Sequence, residues 1–382
     1  MKPKHKTIAG QGSWVLANKN TELAVTELGG HMAPVTFYRK SASPVQPYYI
    51  SPWQGEKLKL DEPVLRSLRG DFFCMPFGAP CKLRGVKHDC HGEPAGRKWT
   101  LAGAETDGPV SRLTMTMKTK SLPGKVTKHL ALVEGQNVVY CQHVLEGYST
   151  TVPIGHHATL AVPDKPEALQ IATSPFKLGM TNPTLFGNPA VGEYQSLAIN
   201  APFTRLDRVP LIFKDPAIGD CSRHPTRLGY TDLLAVWARG KNRAWTTATN
   251  TAEGYLWFSL KDPRILPASV IWMSNRGRHG APWNGRNRCL GLEDVCAYFA
   301  NTAAESAGKN QISQMGIPTT VKLSKRCPTV VNHIQGVAKV PRGFACVKSA
   351  RFSAGEVTFT SVTGKTVTVP VCHEFLKTGQ LQ

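Results

Sequence analysis

Lys128-His129-Leu130-Ala131-Leu132-Val133, Glu134-Gly135-Gln136-Asn137, Val138-Val139-Tyr140-Cys141-Gln142-His143-Val144-Leu145: two β-rich runs lie on either side of a short polar turn. This is the pattern of an antiparallel hairpin. Working upstream, Leu113, Met115 and Met117 alternate with Thr114, Thr116 and Lys118, the period-two signature of a half-buried strand. Downstream, Leu233 to Trp237, Ala244 to Ala248, Tyr255 to Leu260 and Ser269 to Met273 read as short strands divided by Gly, Lys, Asn and Pro turns. Near the end, Val357 to Val362 and Thr366 to Val371 flank Thr363-Gly364-Lys365 as a second hairpin. Helical signal is confined to Asp294 to Ala307, where Val295, Tyr298 and Phe299 share a face. The Pro-rich patches at Ser43 to Pro52 and Thr181 to Pro189 are too short to link domains. The expectation is an all-β chain of many antiparallel strands, one large domain over residues 1–382, built as packed sheets.

Bulk properties narrow the chemistry. The 382 residues carry 46 Lys+Arg against 26 Asp+Glu, a net charge of +20 that draws anions. The basic residues are scattered, and the densest stretches, Lys2 to Lys6 and Asn275 to Arg288, are short. A nucleic-acid-binding arm concentrates charge more than this, so nucleic acid is disfavoured as a partner. The ten Cys include no CxxC pair, and Met1-Lys2-Pro3-Lys4-His5-Lys6 leads into polar and small residues. No apolar run is long enough to span a bilayer. Free thiols in a reducing cytoplasm are the expectation.

Three separated segments deliver proton-handling side chains inside small-residue turns: Asp89-Cys90-His91-Gly92-Glu93, Pro153-Ile154-Gly155-His156-His157 and Leu290-Gly291-Leu292-Glu293-Asp294. Opening a cyclic hemiacetal requires a base for the anomeric hydroxyl and an acid for the ring oxygen. A carboxylate and a histidinium on opposite sides of the sugar would supply both, with the carboxylate keeping the imidazole charged.

These segments, with Glu27-Leu28-Gly29-Gly30-His31-Met32-Ala33-Pro34 and Arg69-Gly70-Asp71-Phe72-Phe73-Cys74-Met75-Pro76-Phe77-Gly78, resemble the aldose 1-epimerase (galactose mutarotase-like) superfamily. The resemblance covers residues 20–320 as ordered short motifs, leaving 321–382 to complete the sheets. It implies a β-supersandwich with an open cleft for a monosaccharide or modified sugar, no cofactor or metal, and interconversion of α and β anomers. By position it makes Glu293 the general base and His157 the general acid. His91 and Asp232 would hold sugar hydroxyls, with His156 the alternative to His157. Neighbours on a strand face opposite ways, so only one of that pair enters the cleft. The family's arginine after Phe77-Gly78 is replaced by Ala79-Pro80, which leaves Arg69 or Arg84 to orient the substrate.

Cys81, His88, Cys90 and His91 lack zinc-site spacing, because Cys90 and His91 are adjacent. Of Trp237, Trp245, Trp257, Trp272 and Trp283, Trp283 is the best candidate for the cleft, since it lies in the loop leading to Glu293. The loop Asn275 to Gly280, with Arg286 and Arg288, offers a grip for a sugar phosphate or uronate. A carbohydrate-binding protein without turnover is the alternative on the same fold.

Overall fold

A computed structural model describes residues 3–83 and 85–381. Lys2, at the head of the first basic stretch, lies outside them. Two large antiparallel sheets dominate. The nine-stranded sheet places Thr329–Lys339 at its middle, between Tyr255–Lys261 and Val138–Glu146, and continues through Gly124–Val133 and Val110–Thr119 to Thr100–Asp107. The seven-stranded sheet runs Pro202–Phe203, Phe176–Thr181, Tyr230–Ala238, Ala268–Asn275, Arg288–Cys296, Ile154–Ala161, Phe73–Cys74. A four-stranded N-terminal sheet and a three-stranded C-terminal sheet flank them.

The hairpin that opens the sequence forms as expected, pairing Lys125 with Glu146 at one end and Leu132 with Val139 at the turn end. Leu113, Met115 and Met117 are buried, while Thr114, Thr116 and Lys118 are more exposed. The C-terminal hairpin also forms, but it pairs within its own three-stranded sheet. Of residues 321–382, Thr329–Lys339 enters the nine-stranded sheet and Val321–Leu323 pairs with Thr150–Val152.

The expected helix from Asp294 to Ala307 does not form as one element. Arg288–Cys296 is a strand, and a short helix occupies only Ala303–Ala307, capped by Thr302 and Glu305. The strand is buried on both faces, so its apolar residues do not alternate, and periodicity cannot separate it from a buried helix.

The seven-stranded sheet has a core on each side. Leu290, Leu292, Ala158, Leu160 and Leu234 point between the two large sheets. Cys289, Val295, Leu233, Trp237 and Val270 point to the outer face, under loops that include Trp53, Val64 and Leu68. Every strand of this sheet thus has an inward and an outward register, and that register positions the site.

Candidate active site

Strands Ile154–Ala161 and Arg288–Cys296 pair so that His157 stands opposite Glu293 and His156 opposite Asp294. Alternation then sends one histidine–carboxylate pair to each face of the sheet. His157 and Glu293 face outward into a cavity of about 360 Å³, within the size range of small-molecule sites. His156 and Asp294 face the core between the sheets.

His91 reaches the same cavity from a turn. It takes φ 57° and is followed by Gly92 at φ 77°, where a Cβ would stand 2.1 Å from the Met75 carbonyl oxygen. Only glycine permits that approach. The Gly78 N–H donates to His91 Nδ1 at 3.4 Å, and the His91 and His157 rings meet edge to face with centroids 4.9 Å apart. The three sequence-derived groups His91, His157 and Glu293 therefore converge on one cavity.

Their arrangement differs from the expected one. His157 Nε2 lies 3.3 Å from Glu293 Oε1, so the two stand side by side rather than across the width of a sugar. The His157 ring stacks on Phe72 at 4.5 Å, and Phe72 stacks in turn on His31 at 4.1 Å. The Thr159 hydroxyl meets His157 Nδ1 at 3.2 Å, and a hydroxyl serves either tautomer because it both donates and accepts. Gly291, two residues before Glu293 on the same face, leaves room for the carboxyl group: a Cβ there would lie 2.5 Å from Glu293 Oε1.

The protonation state also reverses the expectation. Burial pushes Glu293 well above the usual carboxylate range and, with the nearby His91, pushes His157 well below the usual imidazole range. In so dry a setting neither charge is hydrated, and the neutral pair, a carboxylic acid beside an imidazole, is favoured. Glu293 Oε2 is buried without a hydrogen-bond partner. Burial likewise lowers His91 to about 4.

On the inner face His156 Nδ1 bonds Asp71 Oδ2 at 2.9 Å, and His333 Nε2 bonds Asp294 Oδ2 at 2.9 Å. Lys261 Nζ sits 2.7 Å from Asp294 Oδ1, which Ser269 also supplies with a hydrogen bond. Burial alone would raise Asp294, but Lys261 and His333 outweigh it and hold the group far below the usual range. Asp71, His156 and His333 offer donor atoms within 4.8 Å of one another. However, the two imidazoles stack at 4.1 Å and 16°, so their in-plane lone pairs run parallel instead of converging on an ion. The cluster is a hydrogen-bonded charge network tying the sheets together.

Three expected substrate contacts do not reach the cavity. His156 is on the inner face, as described. Asp232 faces away because its neighbour Leu233 faces the cavity, and its carboxylate accepts bonds from Ser196 N, Ser196 Oγ and Leu197 N at 2.7–2.9 Å. Arg69 is fully buried and donates to the Ile8 and Ala9 carbonyls and to Gln54. Arg84 lies outside the described residues. In the basic loop, Arg286 pairs with Glu56 and Arg288 with Asp164, leaving Arg278 to line the cavity. Trp283 does line it, and Trp272 joins it edge to face at 5.6 Å.

Sequence reasoning missed Phe72, Thr159, Gly291 and Glu62. The first three share a face or a motif with residues already singled out, so alternation from His157 and Glu293 would have found Thr159 and Gly291. Glu62 comes from a distant loop, and no local signal marks it.

No family model matches the sequence, and no curated protein is significantly similar to it. Solved structures do match. A proposed aldose 1-epimerase from Klebsiella pneumoniae superposes with a TM-score of 0.59 at 12% identity, over 88% of this chain and 83% of that one. A proposed mutarotase (YeaD) from Salmonella typhimurium gives 0.57 at 10% identity, over 88% and 94%. A galactose mutarotase-like protein from Clostridium acetobutylicum gives 0.57 at 11% identity, over 89% and 99%. At these identities it is the architecture that is shared, and the chain has the galactose mutarotase-like fold.

Proposed function

We propose that the protein is a mutarotase: an aldose 1-epimerase-like isomerase that interconverts the α and β anomers of an aldose or modified sugar. The observation that carries this reading is the contact between His157 and Glu293 on the floor of a sugar-sized cavity. The anomeric hydroxyl oxygen and the ring oxygen are bonded to the same carbon. A base and an acid that serve them must therefore be close together, as these two are. Glu293 protonates the ring oxygen as the C1–O5 bond breaks, and His157 takes the anomeric hydroxyl proton as C1=O forms. Rotation about C1–C2 and closure by the reverse transfers give the other anomer. Performed together, the two transfers avoid an isolated oxocarbenium ion or alkoxide. The assignment with Glu293 as base and His157 as acid differs from this one by a single proton shifted along the 3.3 Å contact. The reaction is redox-neutral and calls for no electron carrier. His91, whose Nδ1 accepts from Gly78, presents its other ring nitrogen to the bound sugar.

The test is the rate of anomer exchange on fresh α-glucose and α-galactose, by polarimetry or saturation-transfer NMR. Acceleration by the native protein and its loss in Glu293→Gln are the expected results. Acceleration that survives the substitution removes Glu293 from the reaction. A carbohydrate-binding protein without turnover is the second reading. Binding without acceleration would select it.

A further inference from the structure

The walls of the cavity are poorly suited to a fully hydroxylated hexose. A sugar hydroxyl leaving water for a protein site must regain its hydrogen bonds there, and each one left unmet costs about 1–3 kcal/mol. Sites for polyols therefore line their walls with short hydrogen-bonding side chains. Here, apart from His91, His157 and Glu293, the polar side chains among the described lining residues are Glu62 and Arg278. Arg278 lies 3.4 Å from Glu193 through one guanidinium nitrogen, with its guanidinium 5.4 Å over the Trp283 ring and 5.6 Å over Phe186, and its buried Nε has no hydrogen-bond partner. The rest is apolar, including Leu65, Leu68, Phe186, Leu233, Trp272 and Trp283. Trp272 gives its N–H to Thr231 Oγ1 at 3.3 Å, so its ring is what it offers the cavity. The residues that could have held hydroxyls are turned elsewhere: Asp232 is spent on Ser196 and Leu197, and Arg69 on backbone carbonyls.

We infer that the substrate is a reducing sugar poor in free hydroxyls, a deoxy sugar or one whose hydroxyls carry apolar acyl or alkyl groups. The inference rests on the proposed reaction, since the hemiacetal must be free, and adds what the remainder of the molecule looks like. The apolar walls gain by covering a methyl or acyl group at about 25 cal/mol per Å². The apolar side chains themselves offer no bond to a hydroxyl placed against them. Among the described lining residues the guanidinium is that of Arg278, which is paired with Glu193 at 3.4 Å, so a sugar phosphate would have to compete with that carboxylate for it.

The experiment measures anomer exchange by NMR, and binding by calorimetry, for glucose, 2-deoxyglucose, 6-deoxyglucose, 6-O-acetylglucose and glucose 6-phosphate. The expected result is kcat/KM for a deoxy or acetylated sugar at least about tenfold above that for glucose. A preference for glucose or glucose 6-phosphate overturns the inference while leaving the mutarotase reading intact. Tighter binding of the hydroxyl-poor sugars without acceleration supports the inference and sinks the catalytic reading. Failure of every sugar to bind or react sinks both. A folded Leu233→Asn variant should shift the preference toward glucose, and a preference that does not move counts against the apolar wall as its source.

Discussion

Lowering the pH should unfold this protein well before its carboxylates are protonated, because many of its imidazoles are buried in the neutral form. Burial lowers His31 from 6.5 to about 3, and lowers His91 and His224 from 6.5 to about 4. In each case the unfolded chain binds a proton that the folded one refuses. Stability is fully present above pH 6.5 and is lost as pH falls from there toward the folded value. At pH 5 each of the three contributes a loss of about 2 kcal/mol relative to pH 8, about 6 kcal/mol together. That is a large part of a domain's usual stability of about 5–15 kcal/mol. His143, His156 and His157 are shifted the same way and add to the loss. Glu293, raised by burial, opposes it as a single group. Urea unfolding followed by tryptophan fluorescence at pH 8, 7, 6 and 5 reads the effect as a falling midpoint. His224→Gln, which replaces a ring bonded to the Cys221 carbonyl, should flatten the dependence by about 1.4 kcal/mol per pH unit. A midpoint that is level or rises from pH 8 to pH 5 would refute the claim that burial keeps these rings neutral. The neutral His157–Glu293 pair would fall with it.

The neutral pair has its own signature. Infrared difference spectra of native protein minus Glu293→Gln should show a carboxylic-acid C=O band at neutral pH, and only a carboxylate band would contradict the assignment. Turnover should stay level across neutral pH, falling on the acid side as His157 is protonated below its lowered pKa and on the alkaline side as Glu293 ionises above its raised one. Gly291→Ala places a Cβ 2.5 Å from Glu293 Oε1, a movable side-chain end, so the carboxyl group turns away from His157. The same Cβ stands 3.1 Å from the Trp272 Cβ, so the melting temperature should fall as well. In the folded variant anomer exchange should drop about 100-fold, and unchanged exchange would count against the positional requirement. Lys261→Met strips Asp294 of a partner at 2.7 Å in the core and should cost about 3–5 kcal/mol in urea unfolding. A loss below about 1 kcal/mol would show that the ion pair does not hold Asp294 in the core.

Much of the architecture could be read from local pattern. The hairpin around Glu134 to Asn137 and the alternation at Leu113, Met115 and Met117 are backbone preferences written into neighbouring residues, and both formed. The order of His91, His157 and Glu293 along the chain was likewise visible as short motifs, but only His91 stands in a turn as expected, His157 and Glu293 lying within strands Ile154–Ala161 and Arg288–Cys296. Arg288–Cys296 was not legible as a strand, since both of its faces are covered by residues far away in sequence.

By itself, then, the sequence determined an all-β chain and the three groups that meet in the cavity. Strand periodicity also determined that His156 and His157 part company. It could not say which of the two meets the cleft, because a strand has two faces and only the neighbouring sheet decides which is covered. The fate of Arg69 was beyond it for the same reason, as the carbonyls of Ile8 and Ala9 arrive from across the fold. The charge of His157 and Glu293 was decided last of all, by the exclusion of water. Desolvation depends on everything packed around a group and on almost nothing beside it in the chain.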